Sequence, residues 1–190
     1  MKYLIIYAHP NPKSFNAAIK EQVVSYLKSK GKEVVVRDLY QLGFNPTLSG
    51  NDFAQFLQGQ IPLDIKKEQE LIGEADTLII IHPIWWFNLP AILKGYIDRV
   101  FSHGFAYKFA DGEIKGLLTG KNVIIINTTG GPQENYENFG YKDALKLTIC
   151  NGIFAFCGMS VKSHKFFYAV PTVSNDARTK MLEEIKALDF

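Results

Sequence analysis

The sequence predicts an α/β protein, built as a five-stranded parallel sheet with helices on both faces. Two observations support this prediction. Short apolar runs of strand length alternate five times with longer segments of helical periodicity. Several of these runs are apolar throughout, which is typical of parallel strands that are buried on both sides. A chain of 190 residues also suits one domain with a full core, spanning residues 1–190.

The first part of the chain is predicted to contain two strands, a helix and a long loop. Residues 3–8 form a buried strand that stops at His9-Pro10, and Ser14 is the N-cap of the helix that follows. Residues 34–36 form the second strand. Between residues 42 and 62 the chain carries the helix and strand breakers Pro46, Ser49, Gly50, Asn51 and Gly59. We therefore expect an irregular loop there, and a loop of this length is usually functional.

Helices and strands then alternate to the end of the chain. Helices are predicted over 63–75, 91–101, 143–157 and 177–188, and strands over 77–81, 122–127 and 159–170. Because crossovers between parallel strands are right-handed, five such units suit the flavodoxin-like strand order 2-1-3-4-5.

Composition excludes several classes of function. The net charge of +2 is too small to indicate binding to nucleic acid or to an anionic membrane. Cys150 and Cys157 lie seven residues apart on one predicted helix face, where a disulfide would need distortion, so we expect two buried thiols in a reducing compartment and no metal site. The N-terminal apolar run is too short for a signal peptide or a membrane span. A cytoplasmic location is therefore expected.

The loop after the first strand is the first candidate binding segment, because ligands of open parallel sheets bind beyond the carboxyl ends of the strands. This loop leads into a helix N-terminus, which favours a phosphate group. Ser14, Asn16 and His9 add side-chain donors. An ordinary capped turn is the alternative interpretation, and neither a P-loop nor a Gly-rich dinucleotide motif occurs in the chain.

The loop after the third strand carries large aromatic rings. Its sequence is Pro83-Ile84-Trp85-Trp86-Phe87. Rings exposed at a strand end need a flat partner, and the isoalloxazine ring of a flavin supplies one. Core aromatics beneath a loop are the alternative.

The fourth strand ends in Thr128-Thr129-Gly130-Gly131. The two threonines offer hydroxyl groups. The two glycines have no Cβ, so their backbone N–H donors can approach a ligand edge closely and stabilise negative charge there. A plain glycine turn is the alternative for this segment on its own.

Several motifs together resemble one family over nearly the whole chain. They are Ser14-Phe15-Asn16, Phe44-Asn45-Pro46, Pro90-Ala91-Ile92-Leu93-Lys94-Gly95, Asp98-Arg99-Val100-Phe101, Gly104-Phe105-Ala106-Tyr107, the Thr-Thr-Gly-Gly tetrad and Asp176-Ala177-Arg178. The chain resembles the NAD(P)H:quinone oxidoreductases, the DT-diaphorase-like flavoproteins of flavodoxin fold.

This resemblance implies an enzyme that passes two electrons from NAD(P)H to a quinone or related small acceptor by ping-pong hydride transfer. It implies a flavin, either FAD or FMN with FAD slightly favoured, and a homodimer with a shared active site. The implied flavin contacts are Phe15, Asn16, Pro83, Ile84, Trp85, Trp86, Phe87, Thr128, Thr129, Gly130, Gly131, Tyr136 and Arg178, the last near the phosphate or adenosine side of the cofactor. The donors His9 and Ser14 of the loop after the first strand complete the fifteen predicted flavin contacts. Tyr136 and Tyr107 are the implied catalytic residues, the first near the flavin pyrimidine and the second at the pocket rim; for Tyr136, a surface tyrosine is the alternative.

The chain departs from the family pattern at three points. A histidine that partners the tyrosine in some members should fall near Tyr141 or Lys142, and neither residue is histidine. Phe109 replaces a rim tyrosine and so lacks its hydroxyl. The segment from residue 46 to residue 63 is shorter than in the longer members, where it helps to cover an adenine, so the resemblance alone does not establish FAD.

Three other functions suit this predicted fold. A flavodoxin-type electron carrier is usually strongly acidic, unlike this chain. A regulatory flavoprotein subunit of a Kef-type potassium-efflux system resembles the chain at Phe101-Ser102-His103-Gly104, and such subunits can themselves reduce quinones. A phosphoacceptor receiver domain would need acidic residues at the strand ends, where this chain has His9, His82 and Asn127.

Overall fold

Five parallel strands form the centre of the computed structural model, which describes residues 1–190. The strands of the chain are β1 Lys2–Tyr7, β2 Glu33–Asp38, β3 Thr77–Pro83, β4 Tyr107–Ala110, β5 Glu113–Gly116, β6 Asn122–Thr128 and β7 Ser160–Phe167. The central sheet has the order β2-β1-β3-β6-β7, and every neighbouring pair in it is parallel. Counted along the chain, this is the order 2-1-3-4-5, and the predicted fold is confirmed.

Helices cover both faces of the sheet. They are α1 Phe15–Ser29, α2 Gly50–Leu57, α3 Leu63–Glu74, α4 Ala91–Val100, α5 Gln133–Asn138, α6 Tyr141–Leu145, a π-helix at Lys146–Ala155, α7 Asn175–Glu184 and a 3₁₀ turn at Ile185–Ala187. Ser14 caps α1 by accepting the Ala17 N–H, as predicted. Ser174 caps α7 in the same way, by accepting the Ala177 N–H. None of these helices is both long enough and apolar enough to cross a membrane.

The strand residues alternate between two cores. Leu4 and Ile80 belong to the larger one, which includes α4 and the π-helix. Ile5 and Ile79 belong to the smaller one, beneath α1. All seven residues of β3 are buried, because this strand lies in the middle of the sheet with a core on each side.

The expected loop between residues 42 and 62 contains helix α2, so the prediction of an irregular segment was wrong there. Ser49 and Asp52 form a reciprocal capping box, a local helix signal that the surrounding glycines and proline obscured. The buried Asp52 carboxylate also pairs with the Arg99 guanidinium through two hydrogen bonds of 3.1 and 3.0 Å. Arg99 reaches the Asn45 carbonyl as well and so fastens the whole segment to α4.

Two further elements differ from the sequence prediction. β4 and β5 form an antiparallel hairpin that the prediction lacked. Its turn is Asp111-Gly112, with φ values of 57° and 81°, and Asp-Gly is a strong local signal for such a turn. The long helix predicted over 143–157 is a short α-helix followed by the π-helix. Cys150 and Cys157 are both buried and free, as expected.

Gly95 allows the Phe44-Asn45-Pro46 segment to approach α4 closely. A Cβ on Gly95 would lie 2.1 Å from the Pro46 carbonyl oxygen and 2.5 Å from the Pro46 Cβ. Gly73 in α3 is a useful contrast, because a Cβ there would meet nothing within 4 Å. The glycine at position 95 is therefore required by backbone packing.

We predict opposite effects of the same substitution at these two helical glycines. Gly73→Ala should raise the free energy of unfolding by up to about 1 kcal/mol, through better helix propensity. Gly95→Ala should lower it by about 2 kcal/mol or more, because α4 and Pro46 must move apart. Urea denaturation followed by far-ultraviolet circular dichroism measures both, and equal effects would show that the close approach has no energetic consequence.

Candidate active site

A cleft of about 500 Å³ opens at the carboxyl ends of β1, β3 and β6. It is lined by His9, Ser14, Phe15, Asn16, Pro83, Ile84, Trp85, Trp86, Thr128, Thr129, Gly130, Val170 and Pro171. Eleven of the fifteen predicted flavin contacts are therefore brought together. Val170 and Pro171 were not predicted to lie here, because the fifth strand was expected to continue to residue 170. Instead β7 ends at Phe167, and Ala169 turns the chain with a φ of 53°.

The start of α1 gives the cleft a group of N–H donors. The Ser14 hydroxyl accepts the Ala17 N–H and lies 3.3 Å from the Tyr7 hydroxyl, whereas the N–H groups of Phe15 and Asn16 have no acceptor within the protein. His9 Nδ1 accepts the Asn11 N–H at 3.0 Å, so the proton of the neutral ring lies on Nε2 and is available to a ligand. Burial lowers the pKa of His9, which favours this neutral form. This end of the cleft suits an anionic group.

Asn16 and Thr128 join two walls of the cleft. Asn16 Nδ2 donates to Thr128 Oγ1 at 2.7 Å. The other amide atom, Asn16 Oδ1, is buried and has no hydrogen-bond partner. A buried acceptor without a partner is costly and rare. A ligand hydroxyl or N–H that reached Asn16 Oδ1 would remove this cost.

The aromatic loop after β3 is a strained turn. Trp85 and Asn88 exchange two backbone hydrogen bonds of 3.2 and 3.0 Å. The two residues between them, Trp86 and Phe87, have φ values of 50° and 55°, and this left-handed conformation costs a bulky side chain roughly 1–2 kcal/mol. Trp85, Trp86 and Phe87 are 40%, 96% and 47% exposed. These rings are thus open to solvent at the strand end, as the sequence indicated.

The loop after β6 presents backbone donors. The Thr129 hydroxyl already donates to the Gly131 carbonyl at 2.8 Å, so it is not a free donor. The N–H groups of Gly130 and Gly131 have no acceptor within the protein. A Cβ on Gly130 would meet nothing within 4 Å. No contact inside the chain requires glycine at position 130, and its open side is available to a ligand edge.

Four of the predicted flavin contacts do not line the cleft. The Phe87 ring lies 4.0 Å from the Tyr141 ring, between centroids, and 5.8 Å from the Tyr136 ring. Tyr136 is buried, which raises the pKa of its hydroxyl. Gly131 lies beside Tyr136, at 3.5 Å for an added Cβ. Arg178 donates to the Val170 carbonyl at 2.8 Å, so in this structure it holds the cleft-lining segment 170–171.

The position of the missing family histidine is filled by an aromatic ring and an ion pair. Tyr141 packs on Phe87, and its ring lies 6.2 Å from that of Tyr136. Lys142 pairs with Glu137 at 2.7 Å. Tyr168 adds a third tyrosine, with its ring 5.6 Å from that of Tyr136 and with a buried hydroxyl that has no partner.

Tyr107 lies apart from this cleft. Its ring packs beside His103 and Phe156, at 5.7 and 5.4 Å between centroids. It lines a second, largely apolar cleft of about 450 Å³, formed by Leu48, Phe53, Phe56, Leu57, Asp98, Phe101, Ser102, His103 and Tyr107. Of the two residues predicted as catalytic, Tyr107 thus lines the second cleft, whereas Tyr136 is buried beside Phe87 and lines neither cleft.

Behind the first cleft lie the buried side chains of His82 and Asn127 and the half-buried side chain of His164. Asn127 lies between His82 and His164, with Nδ2 at 2.8 Å from His82 Nε2 and Oδ1 at 2.6 Å from His164 Nε2. His82 Nδ1 is 2.8 Å from the Pro83 carbonyl oxygen, and His164 Nδ1 is 3.2 Å from Cys150 Sγ. Burial lowers the pKa of His82 to about 4 and that of His164 to about 3. Both imidazoles are therefore neutral near pH 7.

In the sequence, His82 and Asn127 stand out only as residues at predicted strand ends. A polar residue at the end of each of two apolar strands was the available signal. The pairing of His82 with Asn127 comes from the register of β3 against β6, and His164 and Cys150 join through contacts that no local pattern contains.

The comparisons with known proteins agree on one family. A family model described as Flavodoxin-like fold matches residues 1–188. An uncharacterized NAD(P)H oxidoreductase of Haemophilus influenzae is 40% identical over 184 residues, covering 96% of this chain and 91% of that protein. NAD(P)H dehydrogenase (quinone) 1 of Rattus norvegicus is 36% identical over 200 residues, covering 95% and 73%. These relatives do not favour the carrier or the transporter-subunit alternative.

A solved structure supports the same relationship. The NAD(P)H:quinone oxidoreductase from Methanothermobacter marburgensis superposes with a TM-score of 0.88 at 26% identity, and the match covers 98% of this chain and 94% of that one. The likeness therefore extends over the whole sheet and its loops.

We predict that the buried histidines make stability depend on pH. In the unfolded chain a histidine titrates near its ordinary pKa, whereas His82 titrates at about 4 when folded. Between these values the unfolded state binds more protons, so the free energy of unfolding is highest above the ordinary pKa and falls as the pH drops towards 4. A shift of this size contributes about 3 kcal/mol.

Urea denaturation at pH 7.5 and at pH 4.5 measures this loss of unfolding free energy at acidic pH. His82→Gln should reduce it, whereas the surface variant His103→Gln should leave it unchanged. Equal losses in the two variants would contradict the assignment to His82.

Proposed function

The chain belongs to the NAD(P)H:quinone oxidoreductase family of flavodoxin-like fold and is an oxidoreductase, and from this premise we propose how its cleft is used. The proposed reaction passes two electrons from NAD(P)H to a quinone or a related small acceptor, with a flavin held between β1, β3 and β6. One observation carries this proposal: an aromatic loop and two loops with free N–H donors converge on one cleft of about 500 Å³.

The residues present fit a flavin. The N–H groups of Phe15 and Asn16 suit a phosphate at the helix start. Trp85 and Trp86 offer exposed aromatic faces to a planar ring, and Gly130 leaves space for its edge. Asn16 Oδ1 is an unused buried acceptor that a ligand donor can satisfy. Both FAD and FMN carry these groups; the resemblance slightly favours FAD.

The roles of the protein follow from this arrangement. When bound, the flavin supplies hydride chemistry with NAD(P)H and with the acceptor. The tryptophan rings orient the planar group and exclude water from one of its faces. The N–H groups of Gly130 and Gly131 aim fixed donors at a ring edge on which negative charge develops. Tyr136, behind Phe87, is the proposed support for that charge at the pyrimidine end.

Tyr107 is proposed to act across a homodimer. It lies outside the cleft of its own chain, on a surface that includes Phe53 and Leu57, which are 56% and 88% exposed. Exposed apolar area of this kind favours association with another surface. A second copy would cover these residues and bring Tyr107 to the rim of the neighbouring cleft.

The proposed compartment is the cytoplasm. Cys150 and Cys157 are free thiols, which is typical of proteins in reducing compartments. The proposed electron acceptor is a small molecule, and a panel of quinones, azo dyes and nitroaromatics would identify its class.

We predict that the purified protein binds flavin and that NAD(P)H bleaches it. The visible absorption of the complex should disappear on anaerobic addition of NADH or NADPH and return on addition of a quinone. Extraction of the bound flavin decides between FAD and FMN. A protein that binds neither flavin would overturn the proposed function, and a bound flavin that NAD(P)H leaves oxidised would favour the electron carrier.

We predict that Trp85→Ala weakens flavin binding about tenfold or more, because an aromatic face is lost from the cleft. Tyr26→Ala is the matched control, since Tyr26 packs on Phe190 near the start of β1, at the opposite end of the sheet. Fluorescence titration with FMN and with FAD measures both variants. Equal dissociation constants for the two variants would place the flavin elsewhere.

We predict that Leu57→Lys converts a dimer into monomers, because it introduces a charge into the apolar surface beside Tyr107. Light scattering gives the mass in solution. Flavin should remain bound to the monomer, whereas turnover with quinone should fall, since Tyr107 of the second copy is lost from the rim. Full turnover by a monomeric protein would contradict the shared site.

A further inference from the structure

The polar side chains behind the cleft form a continuous series of hydrogen bonds, in which every donor points along the series towards the cleft. The order is Cys150, His164, Asn127 and His82, ending on the carbonyl of Pro83, at distances of 3.2, 2.6, 2.8 and 2.8 Å. We call this series the buried relay. It crosses three adjacent strands, β7, β6 and β3, and starts from the π-helix.

The direction of each hydrogen bond is set by groups that can only accept. Asn127 Nδ2 also lies 3.2 Å from the carbonyl oxygen of His82, so the nitrogen of the amide must face His82 and its oxygen must face His164. His82 Nε2 therefore accepts, and the proton of its neutral ring lies on Nδ1, facing the Pro83 carbonyl.

The same reasoning settles the distal half of the buried relay. Asn127 Oδ1 can only accept, so His164 Nε2 carries a proton. In the neutral ring His164 Nδ1 then accepts, and the Cys150 thiol donates to it. Burial raises the pKa of Cys150 and lowers the pKa of His164, so both groups are held in these uncharged forms.

The buried relay continues into the backbone of the cleft. The peptide that carries the Pro83 carbonyl also carries the Ile84 N–H, which donates to the Thr128 carbonyl at 2.8 Å. The peptide that carries the Thr128 carbonyl also carries the Thr129 N–H, which donates to the Phe167 carbonyl at 2.9 Å. Hydrogen bonds aligned in one sense polarise and strengthen one another. Pro83, Ile84, Thr128 and Thr129 all line the cleft.

We infer that His82, Asn127 and His164 are positioning residues for the flavin, acting through the Pro83–Ile84 and Thr128–Thr129 peptides, which they hold in a fixed orientation. This inference rests on the proposed flavin site. Apolar side chains would fill the same space in the core without any need for hydrogen-bond partners. Three polar residues with every nitrogen and oxygen satisfied specify the orientation of the two cleft peptides in a way that apolar packing does not.

Asn127→Asp tests the centre of the buried relay with almost no change in shape. It replaces the only donor to His82 Nε2 with an acceptor, so His82 must turn its proton away from Pro83 or become charged. The control is Asn151→Asp, the same exchange at an exposed position of the π-helix. In Asn127→Asp the dissociation constant of FMN and that of FAD should each rise about tenfold or more, whereas Asn151→Asp should bind like the wild type.

A second pair of variants tests the distal end and does not depend on the folding of Asn127→Asp. Cys150→Ala and Cys157→Ala each remove a buried thiol, but only Cys150 contributes a hydrogen bond to the buried relay. Both should lower the melting temperature by similar amounts. Only Cys150→Ala should weaken FMN and FAD binding, by about threefold, and alter the absorption spectrum of the bound flavin.

A readout on the flavin-free protein separates this inference from the proposed function. Nitrogen-15 spectra of the wild type should show His82 protonated at Nδ1 and His164 at Nε2. If the wild type binds no flavin, the proposed function fails. If it binds flavin but Asn127→Asp and Cys150→Ala bind like their controls, or if the two tautomers differ from these, the positioning role is wrong and the proposed function stands.

Discussion

The register of β3 against β6 is the constraint on which the cleft depends. It places His82 opposite Asn127 and Pro83 opposite Thr128, so both strands end at the same level. Two loops of different chemistry, one aromatic and one rich in glycine, therefore leave the sheet side by side. A slip of one residue would exchange the two faces of a strand and separate both pairs. The same register thus supports the core, the buried relay and the walls of the cleft.

The motifs that identify the family divide between packing and chemistry. Gly95 and Arg99 act on the scaffold, since one admits the Pro46 backbone and the other holds Asp52 and the Asn45 carbonyl. Phe15, Asn16 and Gly130 instead face the cleft. The motif residues around α4 therefore fasten the 42–62 segment, whereas the motif residues in the cleft loops are the part that bears on the proposed reaction.

Local patterns were sufficient for the sheet and for most of the cleft, because buried parallel strands are apolar throughout and ligand loops follow their carboxyl ends. They were insufficient where distant contacts decide the structure. Asp52 lies in the first turn of a helix that is held by Arg99. Arg178 turns towards Val170, although its position in the sequence suggested a ligand contact. His164 and Cys150 joined the site only through tertiary contacts. Tyr107 lies apart from the cleft, at the start of the β4–β5 hairpin, which was not predicted although Asp111-Gly112 marks its turn.

Unfavourable features of the structure concentrate at the edge of the sheet that holds the cleft. Trp86 and Phe87 adopt left-handed backbone conformations, Asn16 Oδ1 is buried without a partner, and the Gly130 and Gly131 N–H groups lack protein acceptors. The left-handed backbone and the buried acceptor each cost free energy in the chain alone, whereas the two glycines are open to solvent at least in part. A ligand that satisfies them recovers that free energy on binding, and the folded state gains stability in proportion to the occupancy of the site. The buried relay, fully satisfied and directly behind this edge, is what keeps such an arrangement from relaxing before the ligand arrives.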